Sequence, residues 1–419
     1  MRSPDPLVRD GQSRDPSPQE QPETVLDVES VPFAHTEITP GAVAAATRVL
    51  QSGWVTTGPE VLAFEREFGA WVEAEHAVAV SSCTAALELA LRALALPAGS
   101  RVLISTMTFC GAAHAIVHAG LVPVLADVEE HTQMPSARTT AEACARVGGV
   151  AAMVVVHLGG HRAPVAELTA AAGLHADRVV EDAAHAVGTY DHGRHIGSAS
   201  AATCFSFYAT KNLPIGEGGM VTTADPDLAT TMRRARLHGM SSDAWRRYLP
   251  GGSWRYSVEA PGLKANMTDL QAAIGREQLT HLAGWQARRR ALADRYDRGL
   301  ATLPALALPA RPADGGHAWH LYAVRVLTQD RDVLIDQLTR ARIGTSVHFT
   351  PLHHMPYFRA MCADPEALGT ADLVASQLLS LPLHPALTDG QVDRVCDVLG
   401  THLAASAISR STPRPRSSS

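Results

Sequence analysis

Short apolar runs alternate along the first half of the chain with segments in which apolar residues recur at helical spacing. The runs with the length of a strand are VAVSS (78–82), RVLIS (101–105), LVPVLADV (121–128), AAMVVVHL (151–158) and DRVVEDAA (177–184). Runs that are apolar on both faces are typical of parallel strands covered by helices on both sides. The pattern therefore predicts an α/β fold with a large, mostly parallel central sheet.

Helical patterns follow several of these runs. Residues 84–94 place Leu87, Leu91 and Leu94 on one face, and Glu88 and Arg92 form an i,i+4 pair on the surface. The same spacing predicts helices around residues 112–119 and within 166–174. Strands and helices thus alternate in the order that a covered parallel sheet requires.

The pattern changes in the last third of the chain. A long helical segment begins near Asp269, and it is followed by a predicted strand at 319–326, a helix at 331–341 and a second strand at 345–349. We interpret residues 31–282 as a large domain and 283–408 as a smaller α+β domain. Residues 1–30 and 409–419 are rich in Pro, Ser and charged residues and are predicted to be disordered tails.

Composition excludes several classes of protein. The 419 residues suit two domains, and the net charge of −6 argues against nucleic-acid binding, which needs a basic surface. No apolar stretch approaches the roughly 20 residues of a membrane-spanning helix. The six cysteines include no C-x-x-C pair, and the N-terminus shows no apolar signal segment, so a cytoplasmic protein is expected.

Polar residues at the ends of predicted strands are the first candidates for chemistry, because ligands of open α/β sheets bind there. Ser82 and Thr84 start a helix, where free N–H groups and hydroxyls suit a phosphate, although a simple N-cap explains them equally well and is preferred for the motif alone. Glu181 and Asp182 end an apolar strand. A buried carboxylate there would be paired if it faced a pyridinium nitrogen, whereas a lone aspartate is more often solvated.

Lys211 is the candidate nucleophile. It follows a predicted strand at 204–207 and lies in a turn that contains Gly216, Gly218 and Gly219. Partial burial would lower the pKa of its amine and make it reactive toward an aldehyde. Phe109 follows another strand and is placed either to stack on a planar cofactor or to pack in the core. Together these residues supply the parts of a pyridoxal 5′-phosphate (PLP) site.

Ordered motifs extend this picture. They are SSCTAALELAL, EDAAHAVGTY-x-x-GRHIG, SFYATKN-x-x-x-GEGGMVTT, RLHGM-x-x-DAW-x-RY, NMTDLQAAIG, WHLYAVRV, IGTSVHF-x-PLH and LSLPL. From about residue 33 to 400 the chain resembles the DegT/DnrJ/EryC1/StrS aminotransferases, which act mainly on sugar nucleotides. The resemblance implies the fold-type I architecture of PLP-dependent transferases, with a large sheet domain and a smaller C-terminal domain.

The resemblance also implies a role for each matching residue. Lys211 would hold PLP as a Schiff base and then move protons, and Asp182 would pair with the pyridinium nitrogen. His185 would lie near the 3′-oxygen of PLP, and Phe109 would stack on its ring. The remaining cofactor contacts would come from residues around the phosphate, with the last one contributed by the partner subunit of a homodimer: Thr84, Ala85, Ser206 and Asn266.

The implied reaction has two halves. Glutamate or glutamine would donate an amino group to PLP, and a keto-sugar, expected to be nucleotide-linked, would then accept it in amino-sugar, antibiotic or glycan biosynthesis. Some relatives carry histidine in place of the lysine and dehydrate sugars, so Lys211 favours transamination. Ala265 stands where relatives often have a bulkier residue, which leaves the shape of the substrate side open.

Two further sets of residues have a less chemical interpretation. Several basic side chains between 233 and 247 are placed to meet a diphosphate, but most are expected to be ordinary solvated charges: Arg233, Arg234, Arg236, His238, Arg246 and Arg247. The histidines at 157, 161, 348, 353 and 354 fit no standard zinc spacing and predict no metal, and we interpret them as interface or substrate-side residues. Two alternatives stay open, namely a transaminase of a non-sugar cyclic ketone such as a cyclitol, and a non-catalytic regulator that binds PLP.

Overall fold

The computed structural model describes residues 30–197, 199–240 and 256–411, with side chains up to residue 404. From Val31 onward the described residues form one compact unit. The predicted tail at 1–30 lies outside the described residues except for Ser30. The last helix includes residues 409–411 of the second predicted tail, and 412–419 lie outside the described part. Within the described ranges, no helix has the length and apolarity needed to cross a membrane.

A seven-stranded sheet forms the centre of the molecule. Its strands run in the order β1-β9-β8-β5-β4-β2-β3, and every neighbouring pair is parallel except those that β9 makes with β1 and β8. The predicted mostly parallel α/β sheet is therefore confirmed. The strands of the sheet are β1 (His76–Val80), β2 (Arg101–Ser105), β3 (Val122–Ala126), β4 (Ala152–Val156), β5 (Val179–Asp182), β8 (Ala202–Ser206) and β9 (Gly219–Thr223). A separate two-stranded ribbon consists of β6 (Tyr190–Asp191) and β7 (Arg194–His195).

Helices cover both faces of this sheet, and their caps explain where they begin. Ser82 accepts a hydrogen bond from the N–H of Ala85 at the start of α3, and Ser136 caps α5 in the same way. The bounds of the first seven helices are α1 (Pro40–Ser52), α2 (Pro59–Trp71), α3 (Cys83–Ala93), α4 (Cys110–His118), α5 (Ala137–Val147), α6 (Val165–Ala171) and α7 (Pro226–Ala235).

A second core surrounds a three-stranded antiparallel sheet in the order β10-β11-β12. Tyr296 and Tyr322 are fully buried in it, and their rings stack with centroids 4.6 Å apart. The elements of this part are α8 (Asp269–Leu300), β10 (Leu306–Ala307), β11 (Tyr322–Val326), α9 (Arg331–Arg340), α10 (Pro356–Arg359), α11 (Gly369–Gln377), β12 (Leu378–Leu381) and α12 (Asp389–Ser411). The predicted boundary at 282/283 falls inside α8, so the two-domain division stays a prediction.

Two local differences from the sequence pattern have physical causes. The strand predicted at 345–349 does not form, because this segment makes only one isolated bridge, Ser346 to Ser380, while His348 and Phe349 turn into a cavity. The pattern also missed β9. That strand runs antiparallel directly after the glycine-rich turn, where the glycines suggested only a loop.

Candidate active site

A cavity of about 490 Å³ opens at the carboxyl edge of the central sheet. The last residues of β4, β5 and β8 line the side of the cavity that faces the sheet, namely Val156, Asp182 and Ser206. The first turn of α3 closes one side, and loops that belong to the second core close another. Of the eight residues that the sequence singled out, six line this cavity, namely Thr84, Phe109, Asp182, His185, Ser206 and Lys211.

Lys211 lies at the centre of the cavity wall. Its backbone N–H donates to the carbonyl of Tyr208 at 2.9 Å, which fixes the turn that directs the side chain inward. Burial lowers the pKa of its amine to about 8, although the carboxylate of Asp182 opposes this shift. An appreciable fraction of the amine is therefore uncharged at neutral pH, as a nucleophile toward a carbonyl carbon requires.

Asp182 is buried at the end of β5. Its Oδ1 atom accepts the backbone N–H of Ala184 at 3.0 Å and lies 3.8 Å from the Cys83 Sγ atom, whereas none of the described residues donates to Oδ2. Burial raises the pKa of this carboxyl, against the opposing effects of the Ala184 N–H and Lys211. A buried carboxylate with one open oxygen is stabilised by a cationic ligand group.

The neighbouring carboxylate belongs to a different environment. Glu181 points to the other face of the sheet, where its Oε2 atom lies 2.8 Å from the His157 Nε2 atom. The N–H of Ala163 donates to His157 Nδ1, so the neutral ring carries its proton on Nε2 and donates it to Glu181. Glu181 and His157 thus satisfy each other inside the fold and do not line the cavity.

His185 forms part of the cavity wall and is held by its backbone surroundings. The N–H of Gly159 donates to its Nδ1 atom at 3.2 Å, which leaves the proton of the neutral ring on Nε2. Burial lowers the pKa of His185 well below its ordinary value, with further contributions from Lys211 and His348. The ring is therefore a neutral hydrogen-bond donor at physiological pH.

Hydroxyl groups gather at the start of α3. Ser82, Thr84 and Ser206 all line the cavity beside the free N–H groups of the first helical turn, which is a favourable place for an anion. Ser82 serves at the same time as the N-cap. Ala85 does not line the cavity, because its N–H donates to Ser82 Oγ at 3.1 Å.

Phe109 lies on the opposite side of the cavity at the start of α4. Its side chain is 58% exposed, and its ring centroid is 6.0 Å from that of Phe349. One face of the ring is thus available to a planar ligand. Asn266 lies outside the cavity, beyond β1, where it bridges to Val80 and donates from Nδ2 to Thr57 Oγ1 at 2.7 Å.

The sequence pattern missed a group of cavity residues that come from loops and from the second core. His320 precedes β11 and had been included in a strand, and His348 had been considered only as an interface or substrate-side residue. Buried histidines flanking short strands are a weak signal, because histidine is frequent in this chain. The missed lining residues include Thr108, Tyr208, Thr210, Glu217, His320 and Phe349.

The other candidate histidines lie elsewhere. His353 contacts Thr106 and Asp372, and His354 contacts the same oxygen of Asp372. These two histidines and Asp372 form one of two clusters with suitable metal-ligand atoms in the described part of the chain, and neither cluster borders the cavity. The absence of a metal from the chemistry stays a prediction.

The basic stretch that begins in the last turn of α7 has mainly structural contacts where it is described. Arg236 is buried and pairs with Glu65 and with the carbonyl of Ala79, whereas Arg234 pairs with Glu259 at the surface. Arg233 donates to the carbonyl of Ala77 at 3.1 Å. His238 lies in the following turn, and Arg246 and Arg247 lie outside the described residues.

We expect Arg236→Ala to destabilise the protein strongly, because it leaves the buried carboxylate of Glu65 without its partner. The free energy of unfolding should fall by about 3–5 kcal/mol. Arg234→Ala is the matched control, and the loss of its exposed pair should cost no more than about 1 kcal/mol. Urea denaturation measures both values, and equal losses would contradict the structural role of Arg236.

Comparisons with known proteins place the chain in a family. A model of the DegT/DnrJ/EryC1/StrS aminotransferase family matches residues 37–400. The spore coat polysaccharide biosynthesis protein SpsC of Bacillus subtilis is 44% identical over 376 residues, which cover 88% of this chain and 96% of SpsC.

Two solved structures have the same fold over most of their length. The putative sugar aminotransferase Spr1654 from Streptococcus pneumoniae, in its PMP form, matches with a TM-score of 0.83 and 29% identity, covering 90% of this chain and all of its own. DesV from S. venezuelae, in complex with a ketimine intermediate, matches with a TM-score of 0.77 and 36% identity over 86% of this chain and 94% of DesV. Spr1654 is also solved in its PLP form.

The fold and the cavity define a PLP-dependent aminotransferase. The cavity has the size for a pyridine ring with its phosphate. It is lined by a lysine whose pKa is lowered, by a buried carboxylate with one open oxygen, and by hydroxyls at a helix N-terminus. The chain belongs to the DegT/DnrJ/EryC1/StrS aminotransferase family. The sequence resemblance, the fold-type I architecture and the PLP cofactor are thereby confirmed.

Proposed function

We propose that this aminotransferase moves an amino group from glutamate or glutamine to the ketone of a nucleotide-linked sugar. The observation that carries the proposal is the partly buried Lys211 amine, with a pKa of about 8, in one cavity with the buried carboxylate of Asp182. The similarity to the polysaccharide biosynthesis protein SpsC and to the putative sugar aminotransferase Spr1654 supports a sugar as the acceptor. The product would serve amino-sugar, antibiotic or glycan biosynthesis.

We propose that Lys211 is both the covalent anchor of PLP and the group that moves protons during transamination. When bound, PLP supplies an electron-withdrawing ring that stabilises negative charge on the carbon attached to the reacting nitrogen. An amine whose pKa is about 8 is able to take up a proton and to release one near neutral pH. The Lys211 Nζ atom would therefore take up a proton from one carbon of the reacting amine and release a proton to another.

The other cavity residues would hold the cofactor in the orientation that this proton transfer needs. Asp182 would accept the charged ring N–H with its open Oδ2 atom, and the neutral His185 would donate from Nε2 to the ring oxygen. Phe109 would cover one face of the ring. The phosphate would lie at the start of α3, against the hydroxyls of Thr84 and Ser206 and the backbone near Ala85.

A second copy of the chain would complete the site. Phe109 and Tyr208 line the cavity but are 58% and 46% exposed, so one side of the cavity is open in a single chain. Asn266 bridges to Val80 of β1 and is not among the residues that line the cavity of its own chain. We propose that Asn266 reaches the phosphate of the partner in a homodimer.

A mixed dimer tests this arrangement. Lys211→Ala and Asn266→Asp should each inactivate the homodimer, because the second change places a carboxylate against a phosphate. When the two variants are co-expressed with different tags, the purified mixed dimer should show about half the wild-type activity, because one of its two sites carries neither change. An inactive mixed dimer would place Asn266 in the site of its own chain.

The substrate is tested by a panel. The purified protein should lose its visible cofactor absorbance when glutamate is added, and a keto acid should restore it. Nucleoside-diphosphate 3-keto- and 4-keto-6-deoxyhexoses, together with keto-cyclitols, are then offered to the aminated enzyme, and mass spectrometry records the gain of an amine. Amination of cyclitols alone would replace the sugar proposal. A protein that shows the cofactor absorbance but reacts with neither glutamate nor a keto acid would support the non-catalytic, PLP-binding role.

A further inference from the structure

His320 is a buried residue of the cavity that the proposed cofactor contacts do not use. It precedes β11 and therefore comes from the part of the chain around the second core. Its ring centroid lies 4.3 Å from that of His185, and both side chains line the cavity with Lys211. Its contacts determine which of its nitrogens carries the proton.

A chain of hydrogen bonds fixes this tautomer. Gln286 donates from Nε2 to the carbonyl of Val187 at 2.6 Å, so its Oε1 atom is the acceptor that faces Asn212 at 3.2 Å. Asn212 Nδ2 donates to that oxygen and to the carbonyl of Ala318 at 2.8 Å. The Asn212 Oδ1 atom must therefore accept the remaining bond, which His320 Nδ1 donates at 3.1 Å.

The other ring nitrogen, Nε2, is left as a bare acceptor. Burial lowers the pKa of His320 well below its ordinary value, and the nearby His185, Lys211, Arg289 and His348 act in the same direction, so the ring is neutral. Within the described residues, none donates a hydrogen bond to Nε2. His185 has the opposite tautomer, since Gly159 donates to its Nδ1. The two adjacent rings thus offer the cavity one donor and one acceptor.

We propose that His320 binds the keto substrate by accepting a hydrogen bond from the hydroxyl on the carbon next to the ketone, and that Asn212 and Gln286 hold its ring in the tautomer this contact requires. The inference rests on the proposed keto-sugar function. A bare imidazole nitrogen attracts a hydroxyl, which donates a proton, and it gains nothing from a phosphate or carboxylate, which only accept at neutral pH. The hydroxylated sugar ring is the part of the substrate that supplies such a donor.

The test compares two acceptors on three variants. The first acceptor is the keto-hexose nucleotide of the panel that the wild-type protein turns over fastest. The second is the deoxy analogue of that sugar, in which hydrogen replaces the hydroxyl beside the ketone. The variants are His320→Phe, which keeps the ring volume without a nitrogen, His320→Gln, which restores an acceptor near Nε2, and His195→Phe as a control. His195 packs between Trp71 and Tyr190, away from the cavity. Each variant must show the wild-type visible absorbance and react with glutamate.

His320→Phe should raise KM for the hydroxylated sugar about tenfold with little change in kcat. A change of about tenfold is the usual effect of losing one neutral hydrogen bond. The wild-type protein should show a similar rise for the deoxy analogue, and His320→Phe should add nothing further for that analogue. His320→Gln should recover part of the loss, and the control should match the wild type. Equal losses by His320→Phe against both acceptors would overturn the proposal.

Gln286→Leu tests the hydrogen-bond chain separately. In this variant Asn212 keeps only its bond to the Ala318 carbonyl, so its orientation and the His320 tautomer are held less firmly. KM should rise several-fold for the hydroxylated sugar and stay unchanged for the deoxy analogue. An unchanged KM for both would show that Asn212 and Gln286 do not control His320. A panel in which no keto-sugar is aminated, despite reaction with glutamate, would instead refute the proposed function itself.

Discussion

Lys211→Ala is expected to lower kcat for transamination by up to about 10⁴-fold, because the variant lacks the proton-transferring amine. It should also lose the visible absorbance of the lysine-linked cofactor. Lys211→Arg is the matched control: the guanidinium keeps a positive charge near Asp182 but does not lose its proton at working pH, so it should be equally inactive. Half-reactions with glutamate, followed by absorbance, measure both effects.

Borohydride reduction identifies the anchor directly. Reduction of the wild-type protein should fix the cofactor as a stable amine on the peptide that contains Lys211, and mass spectrometry should find that mass on no other peptide. Lys264, which contacts Asn266 at the surface, is a useful internal comparison because it is exposed. Activity retained by Lys211→Ala, or a label on Lys264, would remove Lys211 from the proposed chemistry.

Asp182→Asn is expected to lower kcat by about 10²–10³-fold, the usual effect of removing one oriented electrostatic contact to the reacting system. An amide cannot balance the charge of a protonated ring nitrogen, so the ring would withdraw electrons less strongly. Glu181→Gln is the matched control, since Glu181 precedes Asp182 but pairs with His157 away from the cavity. The control should lose stability and keep kcat. Equal losses of kcat in the two variants would contradict the assignment.

Asp182→Asn should stabilise the PLP-free protein although it lowers the activity of the PLP-bound enzyme. Burial raises the pKa of Asp182 in the folded chain, so the folded state holds this proton more tightly than the unfolded state does. The stabilisation from that proton is present at low pH and is lost as pH rises through the folded pKa. Asp182→Asn should therefore increase the free energy of unfolding of the PLP-free protein at neutral pH while weakening PLP binding. Urea denaturation with and without PLP separates the two effects.

Several features followed from the sequence because they depend on local chemistry. Buried apolar runs specify strands, and β2 begins and ends where the run RVLIS does, since the interior positions of a strand covered on both faces are apolar. Helix α8 begins where Thr268 and Gln271 form a capping box. Asp182 and Lys211 were identified because each follows such a strand, and the carboxyl ends of parallel strands meet at one edge.

Other features depend on contacts between distant parts of the chain, which no local pattern contains. The sequence could not separate Asp182 from Glu181. Only the contact between His157 and Glu181 in the folded chain shows that Glu181 faces away from the cavity. The sequence of residues 345–349 predicts a strand, yet His348 and Phe349 line the cavity, and Phe349 packs beside the core of the central sheet.

His320 shows most clearly what the tertiary structure decided. Its identity is visible in the sequence, but its tautomer is set by Asn212, which lies 108 residues away, and by Gln286, which binds Asn212. The sequence by itself determined the sheet and the family and singled out Lys211, because strand burial and motif order are encoded locally. The tertiary structure decided which side chains meet in the cavity and which of their atoms donate or accept, because those properties arise only when separate elements pack together.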